Sequence, residues 1–513
     1  MPTTAGSPSS NRLQGAVFCD HERLRSGRPN AFDYGRSDPV HPGSGVRIDT
    51  PMTETSDPGR GGQTPMPPAS EAPHGRTRTA ALCFAAMILE GFDIQAMGLA
   101  AGGLASGLGL SRDLLGQALA ASNIGLVFGA VLGGWLADSL GRRRVLAASV
   151  ALFGVFTLLT TAATDFATLF AARLGAGIGF GAALANIMAI AGEIAPRGKA
   201  GLTAAVMFCG MPVGGGLVAL LSHFGGVEDW RALFFLGGGL PLALAPILAT
   251  SLALTPVERA KGGTNGLSWL WLAALPLGGL AWWTLQALTA SPDLKTLSLS
   301  APWIAAVLGV LAAYLLVHAR VLFAEGRAFI SISLWVVFFP TLLMLYLILN
   351  WLPTLIAGKG LPEIAGLASA AFNFAGVVGA LVMGASADRF GLRIPLTVGF
   401  IALLAVIAAL SAATDPVLVL CLSGGVGFLL LGCNYALYGA GSGLYPHEMR
   451  GRGSGAAIAW GRLGSVAGPL VGGFLMQSGS TSAAVVSAMT PFALVSAAGV
   501  LMLAFASRGK SAP

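Results

Sequence analysis

The sequence predicts an all-α polytopic membrane protein built from two six-helix bundles in tandem, and three observations predict it. Of its 513 residues, 54% are hydrophobic and 10% charged, against about 25% charged in soluble proteins. Apolar runs of about 20 residues follow one another without the alternation of barrel strands, so the backbone must satisfy its hydrogen bonds within helices. The first half of the chain also recurs in the second, about 250 residues on.

Residues 1–77 lie outside this pattern: rich in Ser, Pro, Gly, Thr and charge, they lack the apolar core of a signal peptide and read as a disordered cytoplasmic tail. Met52 and Met66 offer alternative starts. The first bundle, 78–254, holds predicted helices at 79–105, 114–137, 145–163, 167–192, 199–223 and 231–252. A central linker, 255–328, contains two further apolar stretches, 268–289 and 301–319, expected to form an inserted helix pair. The second bundle, 329–507, holds helices at 329–352, 364–386, 394–413, 416–442, 453–476 and 482–506, and 508–513 form a short cytoplasmic tail. Fourteen spans are expected, or twelve if the insert does not cross.

Lys and Arg set the orientation. Arg142, Arg143, Arg144, Arg197, Lys199, Arg259, Lys261, Arg320, Arg327, Arg389, Arg393, Arg450, Arg452, Arg508 and Lys510 fall on one side, and only Arg112, Arg231, Lys295 and Lys359 on the other. Both termini are therefore expected in the cytoplasm of a cell whose inner membrane holds the protein. The net charge of +7 is largely topogenic, and no nucleic-acid partner is implied. The five cysteines show no metal spacing and read as packing residues.

Within the first span, Glu90 and Asp93 lie where lipid would be expected. Each carboxylate costs about 2.5–3.5 kcal/mol at a helix centre, and the i,i+3 spacing puts both on one face. That face belongs toward a water-filled cavity, and proton coupling is the expected role, with Asp93 favoured as the deeper of the two; the alternative is helix packing satisfied by neighbouring Ser or Asn.

The loop GGWLADSLGRRRV (Gly133–Val145) follows the second span. Gly133 and Gly134 allow close helix approach, Asp138 caps the next helix or pairs with an arginine, and Arg142–Arg144 hold the loop at the surface. Such a loop is expected to act as a latch that breaks when the halves rock, the alternative being a basic loop that serves topology alone. RLGAGIGFG (Arg173–Gly181) mimics a nucleotide loop, but it lies inside a span with no preceding strand, and close helix packing is the better reading. Arg173 either snorkels or faces the interior as part of proton coupling. GRLGSVAGPLVGG (Gly461–Gly473) places Arg462 within the 453–476 span. The fifth helix, CGMPVGGGL (Cys209–Leu217), keeps Pro212 with Met211 before it, which displaces the Gly-Pro signal of drug exporters to the symmetry-related helix.

Three pairs define the repeat. GGWLADSLGRRRV returns as GASADRFGLRIPL (Gly384–Leu396), which carries Asp388 and Arg389; GIGFGAALAN, ending at Asn186, returns as GVGFLLLGCN, ending at Asn434; EIAPRGKAG from Glu193 returns as EMRGRGSG from Glu448. Parallel six-helix repeats are the mark of the major facilitator architecture, whose substrate site lies between the halves. Together with LEGFDIQAMGLAAGGLA, MFCGMPVGGGL and LNWLPTLI, these motifs resemble the aromatic acid:proton symporters of that superfamily, over about 79–254 and 329–506. The resemblance implies import of an aromatic carboxylate, such as 3-(3-hydroxyphenyl)propionate or a hydroxybenzoate, driven by the proton gradient. It also carries the acidic pair onto Glu90 and Asp93, the loop aspartates onto Asp138 and Asp388, the fourth-helix arginine and glutamate onto Arg173 and Glu193, and the late arginines onto Arg450 and Arg462. Glu90 stands where most of the family has Asp, as in the hydroxyphenylpropionate branch, and the insert has no counterpart in the usual pattern.

A monoanionic substrate needs a cation, for which Arg462 is the better candidate by depth. Its ring wants walls such as Phe92, Tyr346, Trp351, Phe372, Tyr435 or Trp460, and Asn186 and Asn434 can hydrogen-bond a phenol or carboxylate. The competing expectation is a proton-coupled exporter of drugs or small metabolites. An enzyme is not expected, since His223, His318 and His447 are scattered and no zinc or cofactor pattern is present. The expected partners are the acid, protons and the bilayer, with a monomer as the default state.

Overall fold

Each apolar run closes its backbone hydrogen bonds as a helix, as lipid requires. The computed structural model describes residues 73–195, 200–225, 229–252, 301–324, 327–441, 445 and 450–506. Seven helices make the first bundle: α1 (Pro73–Leu108), α2 (Arg112–Leu140), α3 (Arg142–Thr160), α4 (Phe166–Ile194), α5 (Ala200–Phe208), α6 (Gly210–Phe224) and α7 (Trp230–Ser251). Among the described residues one helix, α8 (Ala301–Phe323), precedes the second bundle, which comprises α9 (Ala328–Gly358), α10 (Ala365–Phe390), α11 (Arg393–Ala412), α12 (Pro416–Gly441), α13 (Arg450–Gln477), α14 (Ser482–Ser487) and α15 (Thr490–Ala506). The predicted tail through residue 72, the apolar stretch 268–289 and the C-terminal tail lie outside the described residues.

Two predicted spans are divided, each just before a proline. Pro212 has no N–H to give the Phe208 carbonyl four residues back, and the 199–223 run bends at Cys209 into α5 and α6; Pro491 does the same to Ser487, separating α14 from α15. Among the described residues eleven helical stretches are long and apolar enough to cross a membrane; α13, with its three arginines, and α8 are not among them.

Within each bundle the repeat is visible as packing. α2 lies along α4 and α1 along α6, while α10 lies along α12 and α9 along α13. The α2–α4 seam explains the glycines of RLGAGIGFG: a Cβ on Gly177 would run into the Ser122 backbone, and one on Gly181 into Leu126. The seam is therefore a backbone-to-backbone contact, not a ligand loop. Gly141 and Gly391, at matching places in the two repeats, both turn the chain with positive φ, 87° and 76°. Loops with Arg142–Arg144 and Arg389 define a basic end of the molecule.

The halves meet at the opposite end. The turn from α1 to α2 abuts α13, where the Arg112 amide donates to Gln477 Oε1 at 3.2 Å and Gly116 faces the Pro469 carbonyl and Gly473. Gly98 of α1 faces the Leu349 and Asn350 backbone of α9.

Candidate functional site

Between the halves lies a cavity of about 510 Å³, lined mainly by apolar groups of α2, α4, α6, α9, α12 and α13. Its polar lining is sparse and comes from the second bundle: Tyr346, Asn373, Asn434, Tyr435, Tyr438 and Arg462. Toward the basic end the lining continues through Val131, Met188 and Gly455. Toward the opposite end it stops at a polar clasp, where Asn373 Nδ2 donates to Gln95 Oε1 at 2.8 Å and Gln95 Nε2 donates to the Leu349 carbonyl at 3.2 Å.

Two of the hydrogen bonds between the halves use carbonyls that proline has freed. Leu349 lies four residues before Pro353, and Phe208 four before Pro212, so neither carbonyl has its helical N–H partner. The Leu349 oxygen accepts from Gln95, and the Phe208 oxygen accepts from Tyr435 Oη at 3.3 Å. Polar backbone left without its helical partner by a proline is thus satisfied by a side chain from the other half.

Arg462 on α13 reaches the cavity and donates from Nη1 to Tyr346 Oη at 3.1 Å. It lies within the electrostatic field of Glu90. Glu90 is 2% exposed, and its Oε1 has no hydrogen-bond partner. The neighbouring Gly91 lines the cavity, where a Cβ would strike the Met211 backbone of α6.

Asp93, one helical turn further, has a different environment. Arg173 grips it with both guanidinium nitrogens, Nη1 to Oδ1 at 3.1 Å and Nη2 to Oδ2, and both side chains are fully buried. Ser122 Oγ accepts from Arg173 Nε and donates to the Arg173 carbonyl, both at 3.2 Å, and the guanidinium sits 5.4 Å from the centroid of the Phe234 ring. The greater depth that favours Asp93 as a proton site places it in a closed pair, and the acid with an unpartnered oxygen is Glu90.

The remaining predicted residues separate into groups. Asn434 lines the cavity with Nδ2 unpartnered, whereas its repeat mate Asn186 is turned into the α2–α4 seam, donating to the carbonyls of Ala182 at 2.8 Å and Gly133 at 3.4 Å. Tyr346 and Tyr435 line the cavity; Phe92, Trp351, Phe372 and Trp460 do not, and Trp460 stacks on Trp335 at 5.1 Å. Glu193 stands at the basic end, ion-paired with Arg142, while Arg143 Nε donates to the Ala249 carbonyl at 2.6 Å. Asp138, Asp388 and Arg389 are exposed at the same end, and the Arg450 side chain lies outside those described. Gly133 makes the expected close approach, to Ala182, but Gly134 faces open space and takes no part in it.

Sequence reasoning missed Tyr438 and Asn373, and it placed none of α8 at the site. Tyr438 was readable, since it falls four residues after Asn434 and three after Tyr435 on one helical face.

The Major Facilitator Superfamily description matches residues 83–457 and, again, 334–513. The chain is 34% identical over 429 residues to the 3-(3-hydroxy-phenyl)propionate transporter of Escherichia coli (strain K12), covering 83% of this chain and 93% of that one. It is 31% identical over 405 residues to the gallate transporter of Pseudomonas putida, covering 78% and 85%. The 4-hydroxybenzoate transporter PcaK of Pseudomonas aeruginosa is 32% identical over 441 residues, covering 83% and 92%. Among solved structures, a peptide transporter POT superposes with a TM-score of 0.61 at 16% identity, covering 84% of this chain and 94% of that chain. The inward open conformation of the xylose transporter XylE from E. coli gives 0.59 at 16%, covering 83% and 95%.

Proposed function

The chain belongs to the major facilitator superfamily, and from that premise we propose that it is a proton symporter importing an aromatic carboxylate of the 3-(3-hydroxyphenyl)propionate or hydroxybenzoate type. It works as a monomer in the cytoplasmic membrane, with both termini in the cytoplasm, so the basic end faces inward. The observation that carries the reading is an apolar cavity with one arginine, Arg462, among its described lining residues, and, beside its Gly91 wall, the buried carboxyl of Glu90 with a free oxygen. Arg462 receives the carboxylate of the acid, Tyr435 and Tyr438 flank its ring, and the unpartnered Nδ2 of Asn434 donates to a ring hydroxyl oxygen.

Two carboxylates cannot both hold a full claim on one arginine in a low-dielectric cavity, so the acid and a proton on Glu90 travel together. The bidentate pair of Asp93 with Arg173 serves as a fixed strut between α1 and α4. Alternating access rocks the halves about the site: the Gln95–Asn373 clasp closes the outer side, and the basic loops with Asp138, Arg142 and Glu193, and with Asp388, Arg389 and Arg450, latch the inner side.

The test is uptake of labelled 3-(3-hydroxyphenyl)propionate into cells, with and without a protonophore, for the wild type and for Glu90→Gln and Arg462→Ala. Accumulation that the protonophore collapses, lost in Arg462→Ala and reduced to downhill equilibration in Glu90→Gln, is expected. An inserted Arg462→Ala protein that accumulates the acid normally would sink the carboxylate role. Resistance to, or efflux of, the compounds would reverse the direction of transport.

A further inference from the structure

The insert between the bundles contributes to the cavity. Val307, Val310 and Leu311 of α8 line it together with residues of both halves, and all three are buried. The geometry of the two seams explains why. On one side of the cavity the halves are bridged directly, by Tyr435 Oη on the Phe208 carbonyl. On the other side α2 and α13 come backbone to backbone near the end away from the basic loops, where Gly116 meets Pro469 and Gly473. Nearer the basic end, Val127 and Val131 of α2 and Gly455 and Ile458 of α13 all face the cavity, and α8 stands between them. Its Val307 is buried in one apolar cluster with Ile124 of α2 and Val466 of α13. The helix is fastened to the second bundle: Ser331 Oγ donates to the Leu322 carbonyl at 2.9 Å, and Phe323 packs edge-on against Trp335 at 5.7 Å.

We propose that α8 closes the lipid side of the substrate cavity where α2 and α13 diverge, and that Val310 and Leu311 set the width of ring the transporter accepts. A cavity with this opening unfilled would admit lipid chains to the face opposite Asn373 and Tyr435. With three aliphatic side chains in place, an aromatic ring meets a wall with no hydrogen-bonding group, so a polar substituent pointing that way is rejected by desolvation. The width claim rests on the aromatic-acid reading above, whereas the wall itself does not.

Single cysteines at Leu311, at Ala459 on the α13 wall and at Trp303 on the outward side of α8, in a background lacking native cysteines, separate the two. Each is treated in inside-out vesicles with a small water-soluble thiosulfonate. Leu311→Cys is expected to react within about tenfold of Ala459→Cys and far faster than Trp303→Cys, and to be protected by 3-(3-hydroxyphenyl)propionate. If Leu311→Cys reacts as slowly as Trp303→Cys while Ala459→Cys reacts, the wall is refuted. Fast reaction that no aromatic acid slows keeps the wall and overturns the substrate reading with its width claim. A Leu311→Phe transporter, still inserted, should lose uptake of ring-disubstituted acids at least tenfold more than uptake of benzoate, and an unchanged preference would overturn the width claim alone.

Discussion

The assignment of Asp93 to a strut and Glu90 to the proton makes a sharp prediction about the Asp93–Arg173 pair. Both side chains are fully buried and joined through two nitrogens. Removing either charge strands the other without water, at a cost of about 3–5 kcal/mol. Against a total stability of about 5–15 kcal/mol, that is about a fifth of the margin or more. Replacing both, as Asp93→Asn with Arg173→Gln, leaves two neutral amides that can keep one hydrogen bond and forfeits the contact with Phe234, so its net cost should be about 1–2 kcal/mol. The coupling between the sites is then roughly 4–9 kcal/mol in favour of the double variant. Thermal unfolding in detergent, followed by size-exclusion fluorescence, reads this directly. At about 2 °C per kcal/mol, each single variant should fall by roughly 6–10 °C and the double variant by a few degrees. If Asp93→Asn keeps the wild-type midpoint yet uncouples uptake from protons, Asp93 is the loading site and the pair opens during the cycle; the strut would then be wrong.

Three other outcomes follow from particular contacts. Pro353→Ala returns an N–H that competes for the Leu349 carbonyl, so it should weaken the clasp by about 1 kcal/mol, and Gln95→Ala, which also loses the Asn373 bond, should cost less in that background than in the wild type by about the same amount; transport rates of the two variants and their combination give the coupling, and simple additivity would refute the link. Gly177→Leu drives a side chain into the Ser122 backbone and should yield no folded protein on detergent extraction, while Gly134→Ala, which faces open space, should match the wild-type midpoint. Asp165 caps α4 by accepting from the Thr168 amide at 2.8 Å, and that bond, with the Thr168 hydroxyl, holds its carboxyl below the usual range. A depressed folded-state value stabilises above the unfolded carboxyl's own value and is lost as pH falls through the folded one, so Asp165→Asn should flatten only the acid end of the midpoint-versus-pH curve.

What the sequence made legible tracks how far each feature depends on local pattern. Span positions, the glycine seam and the two basic loops depend on residues a few places apart, and they emerge largely as read. The division of the 199–223 and 482–506 runs was legible only in part: Pro212 and Pro491 withhold amides, but Pro241, Pro246, Pro340, Pro353 and Pro469 do so inside helices that run on undivided. The partners of those broken turns were not legible: that the Phe208 carbonyl would meet Tyr435 depends on how two bundles dock, which no single helix encodes. The same holds for Asn186 and Asn434, equivalent by repeat but with opposite fates. Asn186 finds the Ala182 and Gly133 carbonyls in its seam, while Asn434 faces the cavity with its amide nitrogen free.

This asymmetry between equivalent positions bears on how the two halves divide the work. The first bundle spends its buried charge internally, Asp93 on Arg173, and offers the cavity mostly apolar surface, whereas the second supplies Arg462 and the polar tyrosines and asparagines. Of the two acids buried in α1, Glu90 is the one left with an unpartnered oxygen, in the field of Arg462. On the proposed mechanism Glu90 and Arg462 are held by different halves, so the free energy of their attraction acts across the interface along which the bundles would rock. Coupling arises where the two halves each carry one member of the pair, because only then does neutralising one charge change the force between the halves. A charge pair within a single half, such as Asp93 with Arg173, moves as a rigid unit and does no such work. Exchanging the two roles by substitution within α1 alone should therefore fail to couple, whatever its effect on binding.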